Sequence, residues 1–202
     1  MPLVRKPSSP VDTPASDGRT VSEQLISGSD DERWAAARSP YLLQDALPLL
    51  TAALSKEPVA RVREAIFTAL AKIGSAESAA VTIPYLRSDD AAQRTLALDA
   101  LRAMPEASAQ LLPGLLKDVD ADVRLLACEI ARALPANDAS RLLAELIGSE
   151  QNTNVCAAAI EVLAETGDAE SLPILDRCAA RFPEEPFLAF AIQIARDRIG
   201  SR

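Results

Sequence analysis

Apolar positions along this chain fall in short blocks with helical spacing, and the blocks themselves recur. Six residue pairs mark one place in successive segments: Glu32-Arg33, Val62-Arg63, Gln93-Arg94, Val123-Arg124, Val155-Cys156 and Phe187-Leu188. Their first members lie 30, 31, 30, 32 and 32 residues apart. In the second segment the apolar residues after Val62 are Ala65, Ile66, Ala69, Leu70 and Ile73. The third has Leu96, Ala97, Ala100, Leu101 and Met104, and the fourth Leu126, Ala127, Ile130, Ala131 and Leu134. The fifth has Ala158, Ala159, Val162 and Leu163, with Thr166 in the last place. This spacing is one broad face of an α-helix.

Each segment predicts a second, shorter helix after Gly74, Pro105, Pro135 or Gly167. A proline in apolar surroundings marks it: Pro48, Pro84, Pro113 and Pro173, with Ala144 at that place in the fourth segment. Proline suits a first helical turn, where its missing N–H costs nothing. Each marker therefore sits early in its helix, or kinks a helix that starts sooner. Pro40 cuts the first segment's first helix short. Thr20-Val21-Ser22-Glu23 spells a capping box that opens a half-repeat over Val21–Ile26. The last helix, Glu185–Ile199, carries polar Gln193, Arg196, Asp197 and Arg198 as an end cap. Period-two runs are missing, so no strand is expected. A helix pair cannot hide its apolar face alone, whereas a stack of pairs makes a continuous core. The expectation is an all-α, right-handed α-solenoid of antiparallel helix pairs, about six repeats and about twelve helices.

Residues 1–19 break the pattern. They hold Pro2, Pro7, Pro10 and Pro14 among Ser, Thr and Asp. So little apolar surface cannot offset the entropy of ordering. The division is a disordered N-terminal tail over 1–19 and a repeat domain over 20–202. A short docking peptide around Leu3-Val4-Arg5-Lys6 is the alternative for the tail.

Composition narrows the function. Of 202 residues, 21 are Lys or Arg and 29 Asp or Glu, a net charge of −8, which opposes a nucleic-acid backbone or an anionic lipid surface as partner. There is no histidine, which removes Ser-His-Asp triads, Cys-His pairs and His-ligated metal sites together. Cys128, Cys156 and Cys178 form no CxxC motif and suit reduced thiols in a cytosol. No apolar run is long enough to span a membrane.

The segments Val62-Arg63-Glu64-Ala65-Ile66, Asp90…Gln93-Arg94 and Asp120-Ala121-Asp122-Val123-Arg124-Leu125-Leu126-Ala127 resemble short HEAT-like repeats. The type they are similar to is the repeat of about 31 residues named after phycobilin lyase subunits. The resemblance covers about residues 20–200 and implies a scaffold or adaptor fold. The motif's arginine is present in the first four segments and becomes Cys156 and Leu188 in the last two. Gln151-Asn152-Thr153-Asn154 replaces the acidic turn.

The arginine row reads as a ladder of pairs to an Asp or a turn carbonyl of the adjacent repeat. A phosphate-binding strip is the competing reading, and Asp90, Asp120 and Asp122 oppose it. Cys128 reads as core, Cys178 as half-buried and Cys156, at the arginine place, as exposed. The acidic pairs sit at helix N-termini, where the helix dipole favours them. Trp34, Phe182, Phe187 and Phe190 read equally as end packing or as docking points.

Second helices line the concave face of related solenoids. On that face stand Asp45, Tyr85, Gln110, Lys117, Arg141, Glu145, Glu170 and Arg177, with Leu49, Ser88 and Ile174 among them. Mixed charge with a few apolar groups matches a protein-binding surface. The expectation is a non-enzymatic adaptor of a bacterial-type cytosol, in a signalling or assembly complex. It binds a partner protein through those residues, as a monomer or weak dimer. No catalytic residue, metal, cofactor, nucleic acid or membrane is expected. A bilin or tetrapyrrole lyase-like role is the alternative, and a nucleic-acid-binding HEAT-like role stands third.

Overall fold

A computed structural model of the protein describes residues 20–39 and 46–201. The expected tail over 1–19, Pro40 and Asp45 lie outside the described residues. Among those described there are twelve α-helices and no strand. They run α1 (Val21–Ser27), α2 (Asp30–Ala37), α3 (Ala46–Leu54), α4 (Ala60–Ile73), α5 (Ala76–Thr82) and α6 (Ala91–Arg102). Then follow α7 (Pro105–Leu115), α8 (Ala121–Ala131), α9 (Ala136–Ser149), α10 (Thr153–Thr166), α11 (Leu172–Arg181) and α12 (Pro186–Gly200). A 3₁₀ turn, Ile83–Arg87, continues α5, and another, Ala169–Ser171, precedes α11.

The helices form two layers. α2, α4, α6, α8, α10 and α12 pack in sequence as the first layer. The second layer holds α1, α3, α5, α7, α9 and α11, in which α1 packs on α3, α5 on α7 and α9 on α11. The units are five helix pairs with a single helix at each end, rather than six pairs, because α12 has no second helix among the described residues. The all-α solenoid is as the periodicity predicts.

Alternation of large and small side chains builds the interlayer core. Val62, Ile66, Phe67 and Leu70 of α4 are buried, as are Ala97 and Leu101 of α6, Ala127, Ile130 and Ala131 of α8, and Ala159, Ile160 and Leu163 of α10. Each buried Leu, Ile or Phe contributes about 1.5–3 kcal/mol. The alanines let neighbouring first-layer helices approach closely.

Local chemistry ends the helices where the spacing requires. Thr20 and Glu23 form the capping box of α1, and Ser29 and Glu32 form a second one at α2. Asp90, Asp120 and Asn152 cap α6, α8 and α10, each accepting from a backbone N–H two residues on. Gly74 ends α4 with φ at 65°, in the left-handed region that favours glycine.

The marker prolines take different places. Pro48 and Pro173 fall in the first turn of α3 and α11. Pro84 stands where α5 tightens into its 3₁₀ turn, and Pro113 lies inside α7, which starts at Pro105. α9 has 14 residues against 11 in α8, so the second helix is not always the shorter.

Candidate protein-binding groove

The arginine row binds the stack to itself. At each arginine the guanidinium Nη1 donates to carbonyls five or six residues back, in the turn that enters its own helix. Arg63 reaches Pro58 at 2.9 Å and Glu57 at 3.2 Å; Arg94 reaches Ser88 at 2.7 Å; Arg124 reaches Asp118 at 2.8 Å. Arg33 reaches Gly28 at 2.9 Å.

Two of the four also fork onto a buried carboxylate of the following turn. Arg33 Nε and Nη2 donate to Glu57 at 2.8 and 3.0 Å, and Arg124 donates likewise to Glu150 at 2.7 and 3.0 Å. Glu57 also accepts from Val59 N–H, and Glu150 from Gln151 and Asn152 N–H. Burial pushes both carboxyls up, but the arginine forks and these backbone donors outweigh it and hold both below the usual range.

Glu57, Ser88, Asp118 and Glu150 occupy one register place, six residues before Arg63, Arg94, Arg124 and Cys156. Where that place is Ser88, Arg63 Nε is buried without a hydrogen-bond partner, and Nη2 reaches only Asp90, at 3.4 Å. Asp118 pairs instead with Arg87, and Asp120 N–H donates to it. These contacts hold Asp118 below the usual range. Glu57 and Glu150 escaped the sequence reading, although their shared distance from the next motif was visible there.

The fifth place shows a substitution across elements. Cys156 is fully buried, not exposed, and its thiol faces the Glu150 carbonyl at 3.7 Å. Arg181, from the end of α11, supplies the guanidinium, donating to the carbonyls of Gly148 at 3.0 Å and Ile147 at 2.5 Å. It passes 4.0 Å from the Cys156 sulfur. No positive charge is visible in residues 151–157, because this one lies 25 residues away in sequence. Cys178 is fully buried rather than half-buried. A hydrogen bond from Cys156 and the nearby Arg181 lower the Cys178 thiol, while Cys156 is raised by that bond and by burial. Burial pushes Cys128 up to about 12, as a core thiol.

The second layer differs. α7 and α9 approach each other little, and a groove opens between them. Pro113, Leu116, Leu142 and Leu146 form its apolar floor, and Lys117, Glu145 and Ser149 its rim. Lys117 Nζ meets Glu145 at 3.0 Å across the rim, with both side chains exposed. The groove widens toward the start of α7, past Glu106, Ala109, Asp138 and Arg141, into a cleft of about 610 Å³. From Arg141 a second cleft crosses to Asp168, Glu170 and Ser171 ahead of α11.

Four residues expected on this face thus come together along one path: Lys117, Glu145, Arg141 and Glu170. Gln110 and Arg177 are exposed but line none of these clefts. Tyr85 is half-buried, edge-on to Phe67 at 5.4 Å, and burial raises its phenol. Ile174 is buried in the core instead of facing out. Trp34 stacks under Arg38 and Phe182 under Arg181, and both rings lie partly buried against the core.

Comparison with known proteins finds similarity to helical repeat proteins. The family model described as HEAT repeats matches residues 108–193. That stretch of the chain is similar to HEAT repeats. It spans α8, α9, α10 and α11 and most of α7 and α12, and so contains the groove. An engineered protein is 17% identical over 90% of this chain and 95% of its own, with a TM-score of 0.44. The complex of CpcE and CpcF of phycocyanin lyase from Nostoc sp. PCC7120 is 21% identical over 83% of this chain and 74% of its own, with a TM-score of 0.47. A designed armadillo repeat protein is 18% identical over 89% of this chain and 98% of its own, with a TM-score of 0.41. No curated protein matches the chain. No helix among the described residues is long and apolar enough to cross a membrane.

Proposed function

We propose that the chain is a non-enzymatic adaptor of the cytosol that binds a segment of a partner protein along the second-layer face, in a signalling or assembly complex. One observation carries this reading: the groove between α7 and α9 joins an apolar floor of Pro113, Leu116, Leu142 and Leu146 to a rim of Lys117 and Glu145. An apolar slot between two helices, edged by charges of both signs, suits an amphipathic helix or short peptide. Burial on the floor supplies affinity, and the rim sets register and orientation.

Amine cross-linking of the protein at native level in its own cells tests the reading, with mass spectrometry locating the linked lysine. Lys117 stands on the groove rim, whereas Lys56 lines a cleft beside α3 and Lys72 lies in the last turn of α4. A partner joined through Lys117, and lost when Arg141 and Glu145 are charge-reversed, supports the adaptor. A partner joined only through Lys56 or Lys72 contradicts the assigned face.

A further inference from the structure

The side chains of Cys156, on α10, and Cys178, on α11, hydrogen-bond to each other in the core. A thiol reacts as its thiolate, which a nearby positive charge favours. Arg181, the last residue of α11, brings that charge. It lies against both sulfurs and passes 4.0 Å from that of Cys156. Its Nε is buried without a hydrogen-bond partner. A buried donor left unused is costly, and a negative charge on an adjoining sulfur offsets that cost. The hydrogen bond from Cys156 and the charge of Arg181 lower Cys178, whereas Cys156 is held as the thiol by the same bond and by burial. Cys128 is the contrast. Its thiol faces the Arg124 carbonyl at 3.3 Å, and burial, then the charges of Glu129 and Glu150, push it up to about 12.

We infer that Cys156 and Cys178 are a modification site, which hydrogen peroxide converts into an intramolecular disulfide. In the first step the Cys178 thiolate attacks one peroxide oxygen. An S–O bond forms, the O–O bond breaks, and the departing hydroxide takes up a proton to become water. Cys178 is then a sulfenic acid. In the second step the Cys156 sulfur attacks that of Cys178. The S–S bond forms, the S–O bond breaks, and the hydroxide leaves with the Cys156 proton as a second water. The two thiols give up two electrons, and the peroxide is reduced to two waters. Closure draws the sulfurs to about 2.05 Å and ties α11 to α10. Both cysteines are fully buried, but the side chain over them is not. Arg181 is half-buried, and its Nη1 bond to the Gly148 carbonyl is open to solvent. Hydrogen peroxide is close to water in size, so a shift of that one side chain admits it.

Peroxide treatment of the reduced, native full chain tests this, with the remaining thiols then alkylated and the unreduced peptides read by mass spectrometry. The expected product links Cys156 to Cys178, leaves Cys128 alkylated and returns to the dithiol with dithiothreitol. Cys156→Ser removes the resolving sulfur, so dimedone is expected to trap a sulfenic acid on Cys178. Cys178→Ser is expected to leave Cys156 unoxidised over the same time. The wild-type product alone decides whether the disulfide forms, whatever the stability of the two variants. The inference is overturned if Cys156 and Cys178 both stay alkylatable under a peroxide dose that oxidises the urea-unfolded chain. A bond that includes Cys128 or joins two copies overturns it as well. Dimedone on Cys156 in the Cys178→Ser variant, with none on Cys178 in Cys156→Ser, overturns the assignment of the attacking sulfur.

Discussion

Charged residues serve two purposes on the two sides of this solenoid. On the arginine side they recur with the repeat, reach inward and meet carbonyls or carboxylates of the stack. On the second-layer side they vary from unit to unit and stand exposed around an apolar floor. Glu150 and Glu145 show the contrast five residues apart. Glu150 is 7% exposed and accepts both arms of Arg124, whereas Glu145 is solvated and meets Lys117 across a gap. A charge that repeats with the fold maintains the fold, and one that breaks the repeat is free to serve recognition.

Breaking the buried side should have the largest effect. Arg124→Ala leaves Glu150 buried without its counter-charge and should cost about 3–5 kcal/mol in denaturant unfolding. Arg63→Ala should cost clearly less, because its Nε already lacks a partner. Equal losses would refute the assigned difference between the two junctions. Arg181→Ala strips the carbonyls of Ile147 and Gly148 of their donor and should cost about 1–3 kcal/mol.

Acid should act through the same carboxylates. Glu57 and Glu150 have lowered values in the fold, so their stabilisation is complete above the unfolded value of about 4.3. It is lost as pH falls through the folded values. Melting temperature should drop below about pH 4.3, and Glu150→Gln should flatten part of that drop. An unchanged acid limb in that variant would remove Glu150 from the account. Ser88→Glu offers Arg63 the carboxylate present at the equivalent places and should stabilise by up to about 1 kcal/mol. Arg141→Glu with Glu145→Lys, on the exposed side, should change stability by no more than about 0.5 kcal/mol.

Helical periodicity made the layers, the helix number and the arginine ladder legible, because each repeats every 30 to 32 residues. The groove was legible only in part. Lys117, Arg141, Glu145 and Glu170 are helix-face residues that local spacing can place. Its floor arises because α7 and α9 stand apart, which depends on packing across units. Arg181 beside Cys156 and the burial of Ile174 were hidden for the same reason: both depend on contacts between helices distant in sequence. Pro113 takes the second of the two places the sequence allows it, inside a helix that starts sooner, since α7 begins eight residues earlier at Pro105.

The most direct test of the central claim compares partner capture by three proteins of matched helicity: wild type, Arg141→Glu with Glu145→Lys, and Arg63→Ala. The account predicts that the partner cross-linked to Lys117 is lost from the groove variant and kept by Arg63→Ala. Retention by the groove variant, or loss from Arg63→Ala while it stays folded, would contradict it.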